Sequence, residues 1–436
     1  MEGFKEEADV RFIKMSVISV RQPENGTPPT PGDKYNIVYM LFFFFGLGGV
    51  LPNVYFMTAT DYWMYKFRDP TQENYDSHKR NQLQANFMGI SATIHSVPGL
   101  VTTMILTRYG HKIHIRIRIL VSLIAIVVIY ILFTAFVVVN TDSWQLAFFV
   151  LTLVVSTSIC VLQIIFQFSN LALISRFPNE YLKSQMYGTS SSGIISAVIQ
   201  IICLAIGETP TESALIYFST GTFILTVTLI LAYVSKNLPF FQYYLGDAVA
   251  DVKKPVHTLT EMKEVTIRIW PLIGMMFVAI ATMCISHSNI TNLVVSECYG
   301  ENQWCDKLFV PTITFLLADI MALTGRFFAK PIFTPNNAKW FAAFDVTRTI
   351  LMTPLCLFCN ALPRRHLPVL FPHDWEYIFL LGSIQLMRAF FSTCSALSMR
   401  NLIGDQAELG FLIMQTLGGF TGSIFSLLNP VIVNKL

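Results

Sequence analysis

Apolar runs recur along nearly the whole of this chain, each approaching or exceeding the roughly 20 residues that a helix needs to cross a hydrocarbon core. Backbone polar groups inside a bilayer have no water to bond to, so runs of this length hold the chain to spanning helices. Composition agrees. The 436 residues are 53% hydrophobic and 13% charged, where a soluble domain carries about 25% charge. The chain reads as an all-α polytopic membrane protein.

Eleven spans are expected, at 35–58, 84–106, 119–139, 145–173, 185–206, 213–234, 268–289, 309–329, 340–360, 375–399 and 409–433. An odd count puts the termini on opposite sides. Of the 30 Lys and Arg, 19 fall on the side of the amino terminus, counting Arg268 at the edge of its span with the preceding connection, and 8 on the other, with Arg326, Arg348 and Arg388 inside spans. Basic connections stay in the cytosol, so the amino terminus is expected there and the carboxyl terminus on the extracytoplasmic side. The stretch RYGHKIHIRIR from Arg108 to Arg118 carries much of that bias and reads as a topology anchor rather than a binding patch.

Residues 1–34 are polar and of mixed charge, lack the apolar core of a signal peptide, and read as a disordered cytosolic tail. The sequon at Asn25 would then stay unmodified. No paired-leucine sorting signal occurs in this tail, which favours the plasma membrane. Pro239, Pro255 and the Lys253-Lys254 pair mark 235–266 as a cytosolic linker. It divides the chain into a six-helix bundle, 35–234, and a five-helix bundle, 267–436. Such a 6+5 arrangement suits a carrier whose halves rock about a central site, although no internal sequence repeat marks the two halves.

Other classes find little support. A net charge of +3 with no aromatic-interleaved basic patch gives no reason to expect nucleic acid. No Walker-type loop, GxSxG, HExxH or paired catalytic aspartates stand in a fitting context, so neither an enzyme nor an ATP-driven pump is expected, and no cofactor. Six of the eight cysteines lie in apolar segments, where a thiol behaves as a small hydrophobe. Cys356 and Cys359 form a lone CxxC, weak grounds for metal. Cys298 and Cys305 lie in a polar connection and are candidates for an extracytoplasmic disulfide.

Polar residues inside the spans carry the functional argument. Asp319 and Arg326 are seven residues apart in FLLADIMALTGRFF, two helical turns, so they face the same way at about 10 Å by helix rise. Each would cost about 2.5 to 3.5 kcal/mol at a bilayer centre, so neither should face lipid. They either line a wet interior or serve as structural charges tied to another helix. Gln163 and Gln167 share a helix face four residues apart. Their amides suit a planar ligand such as a nucleobase, and equally an interhelical hydrogen bond. GLGGVLPN, Gly46 to Asn53, permits close helix approach, and its Pro52 frees a backbone carbonyl. Gly188 and Gly193 bound a GTSSSG segment suited to small-residue packing. His95 and His287 could carry protons, or simply pack.

Several separate stretches resemble the equilibrative nucleoside transporter family, from about Asp33 to the carboxyl end. Asp33-Lys34-Tyr35, FFFFGLGGVLP and Thr58-Ala59 resemble its first helix, and IRIL at Ile117 its third. Phe177-Pro178, Tyr181 and the Gly188/Gly193 pair resemble the fourth-to-fifth helix region, and PFFQYYL from Pro239 the close of the sixth. Gly325-Arg326, Pro354-Leu355, Cys359-Asn360, Pro363-Arg364-Arg365, His373-Asp374 and LGGFTGSIFS from Leu417 stand in the family's order.

The resemblance implies a major-facilitator-like fold and facilitated movement of nucleosides or nucleobases by alternating access. It implies base contact by Gln167, with Gln163 one turn earlier, and ribose contact by Arg326. It also implies ligand contact near Met57 and a transport role for Glu408. The departures are specific. The family's Asp-x-x-Gly-Arg reads Ala322-Leu323-Thr324-Gly325-Arg326, with Asp319 one turn earlier. Its Trp-Asn after the first-helix proline reads Asn53-Val54, and its Gly-Gln-Gly reads Gly188-Thr189-Ser190. Two alternatives stay open: a proton-coupled carrier of another small polar solute, and a non-transporting receptor-like relative.

Overall fold

The structure, a computed structural model, describes residues 31–68, 82–206, 209–245, 258–302, 304–361 and 367–426. Residues 1–30 of the expected tail, 246–257 of the linker, 427–433 of the last expected span and the following 434–436 lie outside the described residues. So do the side chains of Met57, His95 and His287.

The described chain is helical throughout. Before residue 246 run α1 (Ile37–Thr58), the short α2 (Thr60–Lys66), α3 (Gln82–Tyr109), α4 (Ile115–Val138), α5 (Gln145–Ile174), α6 (Asn179–Ile206), α7 (Pro210–Ser235) and the short α8 (Pro239–Leu245). After residue 257 come α9 (Leu259–Arg268), α10 (Trp270–Ile290), α11 (Ala318–Phe328), α12 (Ala338–Met352), α13 (Asp374–Ile403) and α14 (Ala407–Ser426). A π-helical stretch, Val310–Leu317, leads into α11, and a 3-10 stretch, Thr353–Phe358, continues α12. The ends of the expected linker are therefore helical, in α8 and α9.

Among the described residues eight helices are long and apolar enough to span a membrane, or nine if α9 and α10, bent by 77°, form one span. The bend has a local cause, since Pro271 at the start of α10 supplies no N–H and disfavours helix in the residue before it. The other two expected spans correspond to α3 and α14, which fall outside that set. Helix α4 shows why a bilayer is the solvent. Ile119, Leu123, Ile126, Tyr130 and Phe133 are buried, while Ile117, Val121, Ile124, Val128 and Ile131 recur at helical spacing on an exposed stripe. A helix apolar on both its packed and its outer face belongs in lipid.

Helix α1 is the centre of the first series and packs on α5, α6 and α7. Tyr35 and Asn36 both adopt positive φ, 59° and 54°. That turn brings the Asp33 carboxylate over the start of α1, where it accepts from Val38 N at 3.1 Å and Tyr39 N at 3.0 Å. A carboxylate there satisfies orphan donors and complements the helix dipole. The same carboxylate accepts from the Tyr181 hydroxyl of α6 at 3.2 Å. Further along, α1 and α6 cross backbone to backbone. A Cβ on Gly46 would strike the Gln185 carbonyl, and one on Gly188 the Phe43 carbonyl.

The two series touch along two seams, α6 with α11 and α13, and α14 with α3 and α5. Beyond α10, the Cys298–Cys305 disulfide closes a turn between helices. Ser296 Oγ and Glu297 N donate to the Asp374 carboxylate at 2.5 and 3.0 Å, fastening this turn to the start of α13. Closing so short a loop restrains the unfolded chain by about 2 kcal/mol. Cys298→Ser with Cys305→Ser is expected to lower the thermal midpoint by a few degrees and to raise proteolysis between 296 and 306.

Candidate functional site

Pro52 inside α1 has no N–H for the Gly48 carbonyl, one turn earlier, and leaves the ladder irregular where the carbonyls of Gly49 and Pro52 take bonds from outside α1. Side chains from neighbouring helices answer them. The Tyr130 hydroxyl of α4 donates to the Pro52 carbonyl at 2.6 Å. The amide nitrogens of Gln163 and Gln167 on α5 both donate to the Gly49 carbonyl, Gln163 at 3.0 Å. Of the two uses open to this pair, the interhelical bond is thus present for both nitrogens. Gln163 is buried behind the wall, whereas Gln167 lines a cavity. An amide that has given its N–H still offers its carbonyl oxygen to a ligand donor.

That cavity has a volume of about 630 Å³, within the range of small-molecule sites. It lies between the two contact seams, with walls from α1, α3, α5 and α6 on one side and α10, α13 and α14 on the other. Its polar groups are neutral, among them Gln167 and Asn170 of α5, Gln185 and Thr189 of α6, Ser395 of α13 and Gln415 of α14. Phe45, Phe168 and Phe411 supply aromatic surface. Among its described lining residues there is no Asp, Glu, Lys, Arg or His.

Asp319 and Arg326 share a face, as their spacing predicts, and that face is turned to α6. The Arg326 guanidinium donates to the Met186 carbonyl, and the Asp319 carboxylate rests where a Cβ of Gly193 would stand. Met186 and Gly193 are themselves seven apart, so the two helices meet as matched antiparallel ladders. Gly193 serves as the recess for a carboxylate. Arg388 of α13 and Arg326 both act electrostatically on Asp319, and Arg388 donates to Gln385 Oε1 at 3.0 and 2.6 Å. Arg348 pairs with Asp345 at 2.7 Å inside α12, both buried. None of these charged groups is among the described cavity-lining residues, and neither is Asn53, half-buried on α1.

Glu408, at the start of α14, lies 3.4 Å from Arg176 in the α5–α6 connection. Arg118, from the basic stretch, acts electrostatically with both. Nearby, Arg400 of α13 donates to the Ser175 and Phe177 carbonyls, the latter at 2.6 Å, and Asn179 Nδ2 donates to the Leu397 carbonyl at 3.2 Å. The two series are therefore tied together at this end. The sequence pointed to Glu408 but not to its partners. It also passed over Asn170, Gln185 and Gln415, for which the signal was an amide in an otherwise apolar helix.

Fold and cavity together define a polytopic helical membrane protein with a pocket between its two helix series, lined by neutral polar and apolar side chains. The chain belongs to the nucleoside transporter family, whose pattern matches residues 153–399. It is 27% identical to the equilibrative nucleoside transporter 1 of Homo sapiens, over 93% of this chain and 100% of that one. It is 28% identical to the equilibrative nucleoside transporter 3 of Rattus norvegicus, over 83% of this chain and 81% of the relative. Among solved structures, an E. coli fucose:proton symporter is similar at a TM-score of 0.48 and 12% identity, covering 92% of each chain. That likeness is too distant to carry anything further.

Proposed function

We propose that this protein is a facilitative carrier that moves nucleosides or nucleobases across a membrane by alternating access. The observation that carries this reading is the neutral, amide-rich cavity between the two seams, in a chain of this family. Gln167 presents an acceptor to the base, and Phe45 and Phe168 offer stacking surface beside it. Residues 35–234 and 267–436 act as two bundles joined by 235–266. The Asp319, Arg326 and Gly193 contact is the seam on which they turn. The protein resides at the plasma membrane with its amino terminus cytosolic and its carboxyl terminus outside. The excess of Lys and Arg supports that orientation, as does a disulfide after α10, where an oxidising face is needed.

The test is uptake of radiolabelled uridine and adenosine into proteoliposomes at neutral and acidic pH. Saturable, trans-stimulated flux that is indifferent to pH is expected. A steep rise at acidic pH would replace this reading with a proton-coupled one, and folded protein that moves neither nucleoside would overturn it.

The Arg176–Glu408 pair is partly exposed, so it contributes about 1 kcal/mol or less. Glu408→Gln should leave the thermal midpoint nearly unchanged while shifting the balance between closed and open forms at this end by up to about fivefold. Cys160 lines the cavity, and its rate of alkylation from that end reports the shift.

A further inference from the structure

The cavity holds two acceptors that the protein itself does not satisfy. Asn170 is 1% exposed, and its Oδ1 is shut off from solvent with no hydrogen-bond partner. Gln185 Oε1, on the facing helix α6, is in the same condition. Both residues line the cavity. A buried carbonyl oxygen without a donor is destabilising, and a ligand donor can remove that cost. Rotation about the terminal side-chain torsion turns either amide toward the open space, since that torsion is soft.

Position says which part of a ligand they meet. Asn170 stands three residues beyond Gln167 on α5, about 4.5 Å along the helix. A nucleoside whose base lies against Gln167 and whose sugar points along α5 toward Asn170 would offer its hydroxyls to Asn170 and, across the cavity, to Gln185 of α6. Sugar hydroxyls are donors, and these two oxygens are acceptors. Arg326, which the family pattern assigns to the ribose, is instead bonded to the Met186 carbonyl.

We propose that Asn170 and Gln185 are specificity-determining residues that accept hydrogen bonds from the ribose hydroxyls of a nucleoside. This rests on the carrier reading above and deepens it. Neutral amides take over the work of a charged pair, so sugar recognition involves no titrating group.

The experiment compares uptake of uridine and of 2′,3′-dideoxyuridine by the full chain in proteoliposomes. Losing even one hydroxyl that answers a buried acceptor should lower kcat/KM about tenfold or more, so the wild type is expected to prefer uridine by at least that factor. In Asn170→Leu and in Gln185→Met the ratio should fall about tenfold each, and in the double variant to within about threefold of unity. Asn170→Ala and Gln185→Ala, which add no bulk, serve the same comparison if the first pair does not fold. Equal handling of the two nucleosides by the wild type overturns the proposal, and so does a ratio preserved in every variant. Absence of flux for both nucleosides in folded wild type is a different failure, that of the carrier reading itself. A thermal-shift comparison of the two ligands on wild-type protein gives a readout independent of any substitution. A larger shift with uridine is expected, and equal shifts overturn the assignment.

Discussion

Gly188→Val and Gly46→Val should each leave little folded protein. At these positions an added Cβ meets not a side chain that can swing aside but the backbone carbonyls of Phe43 and Gln185. Relief requires α1 and α6 to separate as whole helices. Separation would also loosen the Asp33 bond to Tyr181 and the Ser184 bond to the Tyr39 carbonyl, at 3.2 and 2.7 Å. Overpacking of this kind costs about 3 kcal/mol, the upper part of its usual range, and membrane helices depend on close packing for association because lipid is as apolar as they are. The contrast is Gly274→Ala on α10, where an added Cβ meets nothing within 4 Å. Fluorescence-detected size exclusion after a heat challenge would separate the cases. Survival of the Gly188 and Gly46 variants at the wild-type midpoint would mean that α1 and α6 do not cross backbone to backbone at these glycines.

The same crossing shows what the sequence could and could not reveal. The glycines of GLGGVLPN and the helix-breaking Pro52 announce close approach and local irregularity, because both follow from the chemistry of single residues. That Asp319 and Arg326 face one way follows from helical period alone. What they face does not: Gly193 and Met186 lie well over a hundred residues earlier, and only the antiparallel docking of α6 on α11 brings them opposite. Gln163 and Gln167 had two chemically equivalent uses, and only the position of the Gly49 carbonyl decides between them for the nitrogens. Gln185 was overlooked because apolar content places the start of its span there, whereas α6 begins at Asn179 with a polar first turn. Hydropathy marks where lipid is, not where a helix starts.

Asp319→Ala should be more damaging than Arg326→Ala, and the double variant should fall between them. The seam holds one carboxylate with two guanidiniums that act on it, Arg326 and Arg388. Removing Asp319 leaves two guanidiniums without their shared counter-charge in a half-buried contact. Removing Arg326 leaves Asp319 with Arg388, a neutral pair. Deleting both leaves a single guanidinium, Arg388, bonded to Gln385. Leaving partly buried charge unopposed costs up to about 3 kcal/mol, the lower end of the range for a fully buried pair, so Asp319→Ala is expected to lose much of the folded protein and most transport. Arg326→Ala gives up the bond to the Met186 carbonyl, a loss of about 1–3 kcal/mol for a buried acceptor. Asp319→Asn tests shape against charge, because the amide fills the Gly193 recess without opposing the arginines. It should fold better than Asp319→Ala and still fall short of wild type. The measurement is the thermal midpoint of all four variants beside their uridine flux. If Arg326→Ala proved the most harmful and Asp319→Ala nearly neutral, the carboxylate would not be the counter-charge that holds α11 against α6. The arginine would then have to earn its place by contacting the ligand in another state of the carrier.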